Sequence, residues 1–123
     1  MDSNNFKILI ADDSLLARKK LKDALLALGY TDIVEAKDGN EALSVYKSEK
    51  PDLVLMDIVM PEKFGTDTVK DIITENPDAV IVMVSSVGTK SYIQDSLKAG
   101  AKDFIAKPFT SSQLLTVLER YTK

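Results

Sequence analysis

The chain has 123 residues, 45% hydrophobic and 28% charged, with a formal net charge of -3. That balance fits one globular domain over residues 1–123, able to bury about two-thirds of its unfolded surface, and argues against direct nucleic-acid binding, which rests on a basic surface. With no Cys and no His, thiolate nucleophiles, thiolate zinc sites, disulfides and the commonest general base are excluded; carboxylate, hydroxyl and amine chemistry remain.

In chain order, Phe6-Lys7-Ile8-Leu9-Ile10-Ala11 reads as a first strand and runs into Asp12-Asp13. Ser14 can cap a first helix that ends at Gly29. Its apolar side is Leu21, Ala24, Leu25 and Leu28, so the basic run Arg18-Lys19-Lys20 with Lys22 reads as a solvated face. Ile33-Val34-Glu35-Ala36 is a short second strand. A second helix follows Gly39-Asn40, with Ala42, Val45 and Tyr46 at helical spacing, and Pro51 closes it. Leu53-Val54-Leu55-Met56 then forms a strand ending in Asp57.

A third helix after Gly65 carries Val69, Ile72 and Ile73 and stops by Asn76-Pro77. Ala79-Val80-Ile81-Val82-Met83-Val84 reads as a strand ending in Ser85-Ser86. The fourth helix, about Thr89 to Ala99, has the poorest apolar stripe, with Ile93 and Leu97 as its main anchors. Phe104-Ile105-Ala106 is a fifth strand ending in Lys107-Pro108. In the fifth helix Thr110-Ser111-Ser112-Gln113 has capping-box spacing, and Leu114, Val117, Leu118 and Tyr121 form the apolar face.

Five strand and helix alternations predict an α/β fold with a parallel sheet covered on both faces. In such sheets ligands bind beyond the carboxyl ends of the strands, so Asp12, Asp13, Asp57, Ser85 and Lys107 converge on one edge. Two carboxylates about 4 Å apart near a surface repel by on the order of 4 kcal/mol, so three together ask for a cation. Hard oxygen donors suit Mg2+, which completes its shell with water and phosphate oxygens. Taken singly, a strand-terminal Asp reads as a turn or cap, and Asp12-Asp13 as a favourable charge at a helix N-terminus. No stretch approaches the roughly 18 apolar residues of a membrane span, and the start Met1-Asp2-Ser3-Asn4-Asn5 lacks a signal peptide's regions. A cytoplasmic protein with no membrane partner is expected.

Asp12-Asp13, Asp57 within Met56-Asp57-Ile58-Val59-Met60-Pro61, Ser85 and Lys107-Pro108 together resemble the receiver domain of bacterial two-component response regulators. The stretch from Ala99 to Phe109 is close to that of the CheY-like chemotaxis regulators, and the resemblance covers essentially the whole chain. It implies a flavodoxin-like, doubly wound five-stranded sheet in the order 2-1-3-4-5. It also implies that Asp57 is the phosphoacceptor, with Asp12, Asp13, Asp57 and the Val59 carbonyl holding Mg2+. Lys107 and Ser85 would contact the phosphoryl group, Ser85 and Phe104 would switch, and the Lys107-Pro108 peptide would be cis. Implied partners are a histidine kinase as phosphodonor and a protein target meeting the fourth helix, fifth strand and fifth helix. Catalysis would be confined to the protein's own phosphorylation and dephosphorylation.

Val59 and Val87 are apolar where the family borders the phosphoryl group, and neither can orient an attacking water, so slow self-dephosphorylation is expected. Phe104 stands where many members have Tyr, which leaves switching by packing. Three other readings share parts of this pattern. A flavodoxin-like electron carrier needs a phosphate-binding loop where Asp12-Asp13 would repel a flavin phosphate. A haloacid-dehalogenase-type phosphatase expects a second Asp where Val59 stands. A phosphorylation-independent interaction module would not need the full acidic and basic set. A receiver excised from a longer regulator would read identically.

Overall fold

The computed structural model describes residues 6–60, 65–86 and 90–122. Strands and helices alternate: β1 Ile8–Ala11, α1 Leu15–Ala27, β2 Ile33–Ala36, α2 Gly39–Glu49, β3 Leu53–Asp57, α3 Gly65–Glu75, β4 Ile81–Ser85, α4 Lys90–Ala99, β5 Asp103–Ala106 and α5 Ser111–Tyr121. All pairings are parallel, in the expected order β2-β1-β3-β4-β5.

The strand runs are continuous apolar segments because both faces of the sheet are covered. Alternation sorts their side chains into two layers. Leu9, Ala11, Val54, Met56, Ile81 and Met83 pack with Ala42 and Tyr46 of α2 and Val69 and Ile72 of α3. Ile8, Ile10, Leu53, Leu55, Val82, Val84 and Ile105 pack with Leu21 and Leu25 of α1 and Leu114, Val117 and Leu118 of α5.

Capping residues set the helix starts. Ser14 Oγ accepts from the Ala17 amide at 3.1 Å and Asp38 from the Glu41 amide at 2.8 Å, while Thr110 and Gln113 form a reciprocal capping box. At the end of α1, Gly29 takes φ 95°, which lets the Tyr30 amide reach back to the Leu25 carbonyl at 3.0 Å.

Two expectations shift. Ser85 is the last residue of β4, opposite Ala106, rather than the first residue beyond the strand. In α4 the expected anchor Leu97 is 39% exposed, and among the helix's described side chains the fully buried one is Ser96. The inward stripe runs through Ile93, Ser96 and Ala99 at steps of three, one position off Leu97. A Cβ on Gly100 would lie 2.6 Å from Ile73 Cγ1, so α4 comes too close to α3 for a large side chain. The hydroxyls of Thr66 and Ser96 bridge the two helices at 3.0 Å instead.

Candidate functional site

Parallel registration brings the strand ends together: Ala11 lies beside both Ala36 and Met56, Asp57 beside Val84, and Ser85 beside Ala106. Asp12 and Asp13 follow β1, Asp57 closes β3 and Lys107 follows β5, so four residues from three separate segments meet at one corner.

Asp12 is 6% exposed, and both its carboxylate oxygens are engaged. Oδ1 accepts from the Ser14 amide at 2.9 Å and Oδ2 from Lys107 Nζ at 2.9 Å. The same ammonium lies 3.8 Å from Asp57 Oδ2. One carboxylate oxygen from each of Asp12, Asp13 and Asp57 falls within a group spanning at most 4.8 Å. Three carboxylates facing one ammonium leave a net negative, all-oxygen corner, which fits a hard divalent cation such as Mg2+. Burial pushes the Asp57 carboxyl above its ordinary value of 3.8; Lys107 opposes the rise, Asp12 adds to it, and the Ile58 and Val59 amides oppose it by hydrogen bonding the carboxylate.

Asp12, Asp13, Asp57 and Lys107 thus come together as expected. Val59 is 51% exposed at the rim, and Phe104 on β5 points outward at 43% exposure. The Lys107-Pro108 peptide is cis. The Ser85 side chain and Val87 lie outside the described residues. Two participants escape the sequence reading. Gly65 donates its amide to the Ile58 carbonyl at 2.7 Å, and a Cβ there would collide with the Asp57 carbonyl oxygen. Arg18, read as part of a solvated face, instead turns back and donates to the Asp12 main-chain carbonyl at 2.8 Å.

The family model described as response regulator receiver domain matches residues 8–119. The chain belongs to the response regulator receiver family. It is 43% identical to the chemotaxis protein CheY of Thermotoga maritima over 117 residues, covering 95% of this chain and 98% of that protein. CheY of Bacillus subtilis is 41% identical, with 93% and 95% covered. Among solved structures, a chain of the CheX-CheY-BeF3-Mg+2 complex from Borrelia burgdorferi superposes with a TM-score of 0.88 at 34% identity, covering 96% of this chain and 90% of that one. The receiver domain of NtrX from Brucella abortus gives 0.88 at 30% identity, with 94% and 97% covered.

Receivers work in phosphorylation-dependent two-component signalling, with a histidine kinase as phosphodonor and downstream targets, and bind Mg2+ at an acidic pocket. Among the described residues no helix is long and apolar enough to cross a membrane.

Proposed function

We propose that this receiver accepts a phosphoryl group on Asp57 and relays that event to a protein target, with a chemotaxis role favoured by its CheY relatives. The observation that carries the reading is the corner itself: a partly buried Asp57 with Lys107 Nζ 3.8 Å from its Oδ2 and two further carboxylates beside it. Asp12, Asp13, Asp57 and the Val59 carbonyl would hold Mg2+, with Asp12 acting through water because both its oxygens already have partners. Bound there, the ion offsets negative charge on the phosphoryl oxygens.

In the transfer, an Asp57 carboxylate oxygen forms a bond to phosphorus as the P–N bond of a phosphohistidine donor breaks, and the imidazole leaves with the electron pair. Lys107 supplies a compact positive charge to the phosphoryl oxygens. The acyl phosphate carries roughly -1.5 to -2 charge in place of the single charge of the carboxylate it replaces, which favours whichever arrangement of Ser85, Phe104 and α4 binds it better. Chemistry on other molecules plays no part. Val59, half-exposed at the rim and unable to orient water, lengthens the phosphorylated state. Equal or slower decay of the phosphorylated Val59→Asn variant would sink that last point.

The test is intact mass after incubation with acetyl phosphate and Mg2+. One added phosphoryl group that requires Mg2+ and is lost in Asp57→Asn is the expected result. No adduct in the unaltered protein, together with no Mg2+ binding, would overturn the reading in favour of a constitutive interaction module.

A further inference from the structure

Arg18 departs from its basic neighbours. Lys19 and Lys20 are exposed, whereas the Arg18 side chain is 15% exposed and its guanidinium spans two acceptors. Nη1 donates to the Asp12 carbonyl at 2.8 Å and Nε to Glu35 Oε1 at 3.1 Å. Lys22 Nζ stands 3.5 Å from the other Glu35 oxygen. Glu35 belongs to edge strand β2, opposite Ile10. The guanidinium therefore ties the loop after β1 to a fixed point on the sheet.

The tied atom matters because a peptide unit is planar. Holding the Asp12 carbonyl oxygen also sets the Asp13 nitrogen and the direction to its Cα. The other side of Asp12 is already pinned, its amide donating to the Ala36 carbonyl at 3.1 Å. The Asp12 side chain has Ser14 and Lys107. Asp13 is exposed, and among the described residues no ion pair holds its carboxylate. Its aim is left to the backbone, which the Ser14 amide on Asp12 Oδ1 holds on the far side and Arg18 holds at the Asp12 carbonyl.

We propose that Arg18 is a positioning residue for the acidic pair, its bridge from the Asp12 carbonyl to Glu35 aiming the Asp13 carboxylate at bound Mg2+. This rests on the reading of Asp13 as a metal ligand. Its electrostatic and geometric roles are separable. Glu35 offsets the guanidinium charge, so the bridge is the working feature, and the single ammonium of a lysine cannot reproduce a planar fork across two acceptors.

The experiment titrates Mg2+ into the unaltered protein, Arg18→Lys and Arg18→Ala, following the Asp13 backbone amide by NMR. It then measures the rate of mass gain from acetyl phosphate against Mg2+ concentration. Outer residues that orient metal ligands are commonly worth about 10- to 100-fold in metal affinity. The half-saturating Mg2+ is expected to rise about tenfold in both variants, with the maximal rate restored at saturating Mg2+. Arg18→Lys decides the matter if Arg18→Ala does not fold. A half-saturation for Arg18→Lys equal to that of the unaltered protein overturns the inference alone, as does a lowered maximal rate with half-saturation unchanged. An unaltered protein showing neither an Mg2+-dependent shift nor a mass gain overturns the ligand reading and this inference with it.

Discussion

Helices α4 and α5 are close in length and flank β5, yet they are held by different forces. α5 buries Leu114 and Leu118 completely and Val117 to 7% exposure. Arg120 and the Tyr121 hydroxyl both reach Asp103 at the start of β5. α4 fully buries only Ser96 among its described side chains, leaves Tyr92 and Leu97 more than a third exposed, and meets α3 through the Thr66–Ser96 hydroxyl pair. A fully buried leucine contributes about 1.5–3 kcal/mol, whereas a hydrogen bond nets about 0.5–1.5. The difference teaches where a signal can move the molecule: of the two helices α4 is displaced at the lower cost, and neighbouring Phe104, already outward, adds little resistance.

The largest effect should come from the anchored side. Leu118→Ala is expected to lower unfolding free energy by about 2–5 kcal/mol in a denaturant titration, and Ile93→Ala by clearly less because Ile93 is only partly buried. Equal losses would erase the contrast between the helices. Next, Thr66→Val strands the buried Ser96 hydroxyl and should cost about 1–3 kcal/mol. Adding Ser96→Ala should recover part of that loss, so a double-mutant cycle that comes out additive would remove the hydroxyl pair as the tie. Hydrogen exchange sharpens the same point: α4 amides should exchange through a lower-energy opening than α5 amides. Matched protection would contradict it.

What was legible in the sequence follows the same division. β3 and β4 stand out because strands covered on both faces are continuous apolar runs, and α5 because its capping box and apolar face are local. α4 was misread at Leu97 because its buried anchor is a serine paired with Thr66 of α3, a tertiary contact that no periodicity carries. Alternation implied a parallel sheet, but the strand order came only with the family resemblance. At the site, Asp12, Asp13, Asp57 and Lys107 were visible as polar ends of apolar strands. Arg18 was not, because its role depends on a backbone carbonyl and on Glu35, a partner 17 residues away.

The smallest effect provides a control for both helices. Burial raises the Asp57 carboxyl above 3.8, with Lys107 only partly opposing it, so the folded protein holds this proton more tightly than the unfolded chain. For such a group stability falls as pH rises from the unfolded value to the folded one and is level above it. Ionised Asp57 is thus a net burden on the metal-free fold at neutral pH, and Asp57→Asn should raise the thermal midpoint in chelator. The gain should shrink as pH is lowered toward 3.8, where the carboxyl is increasingly protonated in both states. Because the substitution acts on the shared sheet edge, it should leave the gap in exchange protection between α4 and α5 unchanged. A lower midpoint at neutral pH would mean that the Lys107 contact outweighs the cost of burying the carboxylate, reversing the order of the two causes.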